Sequence, residues 1–213
     1  ATYLRSLAKT GTAFFCFYLL LSAWLISRLY GAQIEHLIEN ILWSASPIFV
    51  ACWIAFRLFP SDENEATPVQ VPNLLRNQAR LLTQLVGIGL ALQFISYDLQ
   101  WVGSFGEDTW TVNTFVLSLI SAASGFRIGQ ILCIQSAEAT LESGTKIKHA
   151  LQVRSGQALM LVTSVSLLLS LIGYSAASNA LLFPSLLSAG LIAALILTFE
   201  AVRDFCAIVA EDS

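Results

Sequence analysis

Four polar side chains in or beside apolar runs of the sequence could do chemistry inside a membrane: Arg127, Gln130, Glu200 and Asp204. A charged residue inside a span is costly, and it commonly marks an ion path, a proton relay or a ligand site. Arg127 lies on the order of 10 Å from the nearer end of its run, and an arginine stem can cross much of that distance. Two interpretations stay open. Arg127 anchors the helix at the headgroups or pairs with Glu200, or it belongs to a functional site.

Residue patterns typical of enzymes and metal sites are absent from the sequence. It contains no HExxH, no GxSxG and no glycine-rich phosphate loop. A transition-metal site usually needs three or four nitrogen or sulfur ligands, and His36 and His149 are the only two histidines. The four cysteines form no CxxC pair, which is typical of free thiols. We therefore expect no catalytic residues, no metal site and no cofactor.

The composition predicts the class of protein. Of 213 residues, 56% are hydrophobic and 12% are charged, whereas a soluble domain carries roughly 25% charged residues. The apolar residues fall in blocks of about 20, the length that a helix needs to cross a bilayer. The sequence thus predicts an all-α, polytopic membrane protein. A net charge of −3 with no large basic face argues against binding nucleic acid.

The apolar runs divide the whole chain, as one transmembrane domain, into six predicted spans. These are 11–31, 41–60, 81–101, 113–134, 157–177 and 182–206. Short links after the first, third and fifth spans predict three antiparallel helical hairpins. Residues 33–42 have their apolar side chains on one face, which predicts either an outer interfacial helix or the solvated first turns of the second span. The longer polar links 61–73 and 136–155 are predicted to be cytoplasmic.

Basic residues predict the orientation, since Lys and Arg are enriched in cytoplasmic links. They cluster before the first span, around the two longer links and near the C-terminus, so both termini are predicted to be cytoplasmic, in the cell or inner membrane. Phe-Arg pairs recur at Phe56-Arg57 and Phe126-Arg127. This recurrence leaves two interpretations open: a weak threefold repeat of the hairpin, or the general frequency of Phe and Arg at membrane boundaries.

Two further patterns predict contact surfaces. Ser121, Gly125 and Gly129 recur every fourth residue, and such a stripe lets two helix backbones approach closely. Arg127 lies about 200° around the helix from either glycine, so it points away from that packing face. The segment KIKHALQVR places Lys146, Lys148 and Arg154 together, which suits lipid headgroups or an acidic partner.

Two functions are compatible with these patterns. The first is a non-enzymatic integral membrane subunit that docks a partner protein or scaffolds a larger membrane complex. The alternative is a small oligomeric channel or transporter for an ion or small solute. Its path would be lined by Arg127 and by polar residues of the third and fourth spans: Gln84, Gln93, Ser118, Ser124 and Gln130. The expected partners are the lipid bilayer and either another protein or further copies of this chain.

Overall fold

The computed structural model describes residues 2–27, 32–60, 71, 73–101, 107–134 and 146–211. This part of the chain contains six α-helices and no strand. In chain order the helices are α1 Thr2–Ser27, α2 Ala32–Leu58, α3 Asn73–Trp101, α4 Glu107–Ile134, α5 Lys146–Ile172 and α6 Ser175–Glu211. The predicted all-helical class is therefore confirmed.

Four of the helices are long and apolar enough to cross a membrane. The qualifying segments are Leu75–Gln100, Thr109–Ile134, Gln152–Ile172 and Ser175–Arg203. The shortest of them has 21 residues, which at 1.5 Å per residue is about 30 Å, the thickness of the hydrocarbon core. Helix α2 contains a shorter apolar segment, Trp43–Leu58. These helices identify a membrane-embedded protein, whereas six crossings stay a prediction.

Several helix bounds differ from the predicted spans. Helix α2 runs without a break from Ala32, so residues 33–42 form its first turns, and Pro47 lies within the helix. Helix α5 begins at Lys146, so the second half of the predicted link 136–155 is helical. Residues 61–70 and 135–145, which hold most of the rest of the two longer links, lie outside the described part of the chain.

Glycine at position 173 sets the boundary between α5 and α6. Its φ of 99° lies in the left-handed region, which glycine adopts without steric cost and which commonly ends a helix. Two bonds close the last turn: Gly173 N donates to Ser170 O at 3.2 Å, and Tyr174 N donates to Leu169 O at 2.9 Å. Only Gly173 and Tyr174 separate the two helices, so α6 already starts at Ser175, earlier than the predicted span at 182.

Consecutive helices contact one another, and α6 also contacts α4 and α2. The largest interfaces join α2 to α3 and α4 to α5, the pairs connected by the longer links. Packing across those links is thus at least as extensive as packing within the predicted hairpins. We call the end that holds the α5–α6 connection the turn end. The opposite end, where α6 finishes, is the terminal end.

Helix α1 lies at the margin of the bundle and contacts α2 through aromatic rings. Phe14 meets Phe49 edge-on with ring centroids 5.3 Å apart, and Phe17 lies 5.6 Å from the same ring. The main apolar cluster of the bundle lies among the later helices. It joins α3, α4 and α6 and consists of Leu90, Leu117, Ala122, Leu182, Phe183 and Leu186.

Two glycines bring α4 and α5 into backbone contact. A Cβ atom placed on Gly129 would lie 2.8 Å from Gly156 O and 2.6 Å from Met160 Cγ. A Cβ atom on Gly156 would lie 3.0 Å from both Gly129 O and Cys133 Sγ. Real Cβ atoms essentially never approach another atom as closely as 2.8 Å. Only glycine at position 129 therefore allows α4 and α5 to lie this close together.

Alanine at position 129 is expected to destabilise the bundle, whereas alanine at position 190 is not. A Cβ atom placed on Gly190 would have no neighbouring atom within 4 Å, so Gly190→Ala gains about 1 kcal/mol of helix propensity at no steric cost. Gly129→Ala gains the same amount but must push α5 away, at a cost of about 1–3 kcal/mol. Thermal unfolding in detergent micelles measures the difference, and equal stabilisation by both variants would contradict the close approach.

Candidate functional site

Arg127 and Gln130 form a polar pair on the outside of the bundle. The Arg127 side chain is exposed, and its Nη1 donates a hydrogen bond to Gln130 Oε1 at 2.8 Å. A guanidinium carries five N–H donors, so this bond leaves capacity for other acceptors. The pair projects from the face of α4 opposite Gly125 and Gly129, both of which are buried.

A groove of about 310 Å³ adjoins this pair. Its lining consists of Arg127, Gln130, Cys133, Ile134 and Met160, so it runs between the last turns of α4 and the neighbouring part of α5. Arg127 lies seven residues before the end of α4, on the order of 10 Å along the helix axis. The groove therefore combines an apolar wall with one charged and one amide group.

Glu200, one of the two acidic candidates of α6, is paired with an arginine of its own helix. Glu200 Oε2 lies 3.5 Å from Arg203 Nη1, one helical turn further along the same helix. The exposed fraction of the Arg203 side chain is 68%, and ion pairs of this kind contribute at most about 1 kcal/mol. The side chain of Asp204 lies outside the described residues. Within the part that the structure describes, Arg127 and Glu200 thus each bind a partner on their own helix.

The stripe of small residues on α4 faces three other helices. Ser121 contacts Gly89 of α3. A Cβ atom on Gly125 would lie 2.9 Å from Thr163 Cγ2 of α5 and 3.2 Å from Leu186 Cδ2 of α6. Together with Gly129, these residues place α4 at the centre of the packed region.

The basic residues of KIKHALQVR lie in the first turns of α5. Arg154 is exposed, whereas the side chains of Lys146 and Lys148 lie outside the described residues. Arg154 follows the start of α5 by eight residues, on the order of 12 Å along the helix. The exposed guanidinium is thus available to a headgroup or a partner on the terminal-end half of the helix.

A second group of polar side chains is buried inside the bundle. They occupy neighbouring levels of α3, α4, α5 and α6, within about one turn of the main apolar cluster, which the layer overlaps on α4 at Leu117 and Ser118. We call this group the buried polar layer: Gln93, Ser96, Thr114, Ser118, Ser170, Ser178 and Asn179. All of its members are uncharged, so the layer holds four helices together through neutral hydrogen-bonding groups.

Three interhelical hydrogen bonds define this layer. Ser118 Oγ donates to Asn179 Oδ1 and joins α4 to α6. Ser178 Oγ donates to Ser166 O of α5 at 2.8 Å. Asn113 Nδ2 donates to Ser96 Oγ at 2.8 Å and joins α4 to α3. Bonds of this kind are common between membrane helices because small polar residues let the helices approach closely.

Gln93 is the member of the layer with the most hydrogen-bonding atoms left without a partner. It is 1% exposed, and within the described residues neither Nε2 nor Oε1 has a hydrogen-bond partner. The hydroxyls of Ser121, Ser166 and Ser170 are buried without a partner in the same sense. An unpaired buried polar group costs about 1–3 kcal/mol, so the amide at position 93 points to a missing partner.

The structure separates residues that the sequence grouped into one path. Gln93, Ser118 and Ser124 are buried, whereas Arg127 is exposed. Around α4, Arg127 lies about 180° from Ser118 and about 60° from Ser124. Asn179 and its neighbours were not singled out by sequence reasoning. The sequence does show a polar residue near the turn end of each of four spans, and this could have indicated the layer. It does not show which of these residues bond to each other, because the partners depend on the register between helices.

The Ser118–Asn179 bond is expected to couple α4 and α6 energetically. In a double-mutant cycle with Ser118→Ala and Asn179→Ala, we expect a coupling energy of about 0.6 kcal/mol and at most about 1.7 kcal/mol, the average and the maximum for membrane helix hydrogen bonds. Unfolding in mixed micelles measures each variant. Thr198→Ala is the matched control, because Thr198 Oγ1 is exposed and donates to Ala194 O of its own helix. Its effect should add to that of Ser118→Ala, and additivity in both pairs would contradict the coupling.

The described side chains that could bind metal are dispersed. No three of the described His, Cys, Asp and Glu side chains cluster as metal ligands, and the four cysteines are free thiols. The features that distinguish this bundle are therefore its exposed arginine groove and its buried polar layer. Comparison with protein-family models, curated proteins and solved structures finds no match to this chain.

Proposed function

We propose that the protein is a non-enzymatic integral membrane subunit that docks a partner protein through the groove beside Arg127. The observation that carries this proposal is the exposed Arg127–Gln130 pair on the outside of the bundle, within a helix apolar enough to span a membrane. Charged residues at membrane depth are rare and usually face protein or water. A partner helix seated on the groove would supply that environment.

The chemistry of the groove specifies the partner. Arg127 offers free N–H donors, and Cys133, Ile134 and Met160 supply an apolar wall. A transmembrane helix that presents one carboxylate or amide oxygen among apolar side chains would match both. Pairing with an acceptor would offset the cost of holding a guanidinium in the hydrocarbon, because charge-assisted hydrogen bonds are the strong ones.

A second surface would assist the docking from the cytoplasmic side. The exposed Arg154 lies in the first half of α5, and Lys146 and Lys148 precede it in the sequence. Basic segments next to a span attract anionic lipids and acidic protein segments. In this proposal the terminal end of the bundle faces the cytoplasm, as the distribution of basic residues predicts.

A small oligomeric channel or transporter is the second candidate function, and the buried polar layer favours it. Uncharged side chains of four helices converge on one level inside the bundle, and polar groups at membrane depth commonly mark solute sites. Solute or ion flux through liposomes that contain only this chain would favour transport. An absence of flux under every gradient would leave the docking function.

Replacing Arg127 is expected to release the partner without unfolding the chain. In native membranes extracted with mild detergent, the wild-type chain should migrate as part of a larger complex on a native gel. Arg127→Leu should migrate at the size of the free chain, with unchanged thermal unfolding, because the exposed side chain contributes little to the bundle. Arg127→Lys should restore part of the complex, since it keeps the charge but not the planar donors.

Arg203→Leu is the matched control for this experiment. Arg203 is also an exposed arginine of a predicted span, but its charge is already paired with Glu200 on the same helix. The complex should therefore survive this substitution. Equal loss of the complex in both variants would assign the effect to membrane charge in general. A complex that is unchanged by Arg127→Leu would overturn the docking site.

A further inference from the structure

We propose that the buried polar layer is a binding site, centred on Gln93, for small uncharged molecules that both donate and accept hydrogen bonds. Water is the smallest molecule of this class. The inference goes beyond the docking function, because the layer lies inside the bundle, whereas the arginine groove lies outside. It does not depend on whether a partner protein binds to that groove.

The Gln93 amide has unused hydrogen-bonding capacity. A glutamine amide can form four hydrogen bonds, two as donor and two as acceptor. At 1% exposure, and with neither Nε2 nor Oε1 bonded to any described residue, this side chain uses none of them. Buried polar atoms in native proteins are nearly always paired with protein or with ordered water. A ligand is the partner that would complete this amide.

Gln93 lies on the face of α3 that contacts α4. Gly89, Gln93 and Ser96 lie within about 60° of one another around α3. Gly89 contacts Ser121 of α4, and Ser96 accepts a hydrogen bond from Asn113 of α4 at 2.8 Å. Gln93 lies between these two contacts on the same face, so its amide is directed towards α4 and the interior.

Other hydrogen-bonding groups lie at the level of Gln93 in the bundle. The antiparallel register of α4 and α5, fixed where Gly129 meets Gly156 and Gly125 meets Thr163, brings Ser170 to the level of Ser118. Ser118 is bonded to Asn179 of α6. The Ser170 hydroxyl has no partner within the described residues, so a ligand at this level would find both donors and acceptors.

The charge of the layer selects a neutral ligand. The buried polar residues that the structure describes are all Ser, Thr, Asn or Gln. Asp98 is the nearest acidic residue along α3, but it lies about 180° around the helix from Gly89 and accepts a hydrogen bond from Ser44 of α2 at 2.7 Å. An ion in the layer would thus lack a counter-charge, which is costly at low dielectric.

The apolar cluster borders the layer. Leu90 of α3 and Leu182 of α6 are buried within about one turn of the layer on its terminal-end side, and Leu117 of α4 lies at the level of Ser118. On α3 and α6, apolar side chains thus lie between the layer and the terminal end.

Substitution of Gln93 tests whether the site is occupied. Gln93→Met keeps the length of the side chain and removes its polar atoms. If a ligand completes the amide, Gln93→Met should lower the melting temperature of the chain in bilayers. An empty site predicts the opposite, because the substitution would remove an unpaired polar group. Gln84→Met, the same change at a half-buried position of α3, is the matched control and should change the melting temperature less.

A direct measurement identifies the occupant. In bilayers, solid-state NMR of the chain with ¹⁵N-labelled glutamine side chains should show magnetisation transfer from water to the Gln93 amide, and this signal should vanish in Gln93→Met. Titration with acetamide separates the two sources. A saturable rise in melting temperature, seen in the wild type and lost in Gln93→Met, assigns the site to small organic molecules. A water signal without such a rise assigns it to water.

One pattern of results would overturn the proposal. It is the absence of both the water signal and the acetamide shift, together with a higher melting temperature for Gln93→Met. That combination would mean that the amide is buried without any partner. Because these readouts use the isolated chain, they do not depend on whether the complex with a docking partner exists.

Discussion

The backbone contact of α4 with α5 at Gly129 and Gly156 is the constraint on which the other contacts of the bundle depend. With α5 held this close, Thr163 meets Gly125, and Ser170 reaches the level of Ser118. Helix α6 follows α5 after two residues and is thereby brought over α4. In a membrane no hydrophobic force draws helices together, so van der Waals contact of this kind contributes much of the association energy.

Helix α4 separates the charged Arg127 from the neutral buried polar layer. Its face towards α3, α5 and α6 carries the neutral layer, and its opposite face carries Arg127. A neutral hydrogen-bonding group can be buried among other helices at moderate cost, whereas a guanidinium needs a counter-charge, water or headgroups. The division explains why a protein of this size can hold two distinct polar regions within one bundle.

The sequence predicted the helical membrane class because the apolar composition and the length of the apolar runs depend directly on whether a helix is surrounded by lipid or by water. It also singled out Ser121, Gly125 and Gly129, since a spacing of four residues maps onto one helix face whatever the partner. It did not predict the end of α5, because the conformation of Gly173 depends on hydrogen bonds to Leu169 and Ser170. The grouping of Gln93 with Arg127 depended on interhelical register, which local spacing does not contain.

The turn at Gly173 and Tyr174 has a consequence for the order in which the protein assembles. The connection between α5 and α6 has only two residues, so the entropy cost of closing this loop is small. The bond from Ser178 to Ser166 likewise joins residues that are only twelve positions apart. Contacts of such short range form fast compared with those between distant segments. We therefore expect α5 and α6 to associate first and α4 to complete the interior by docking onto that pair.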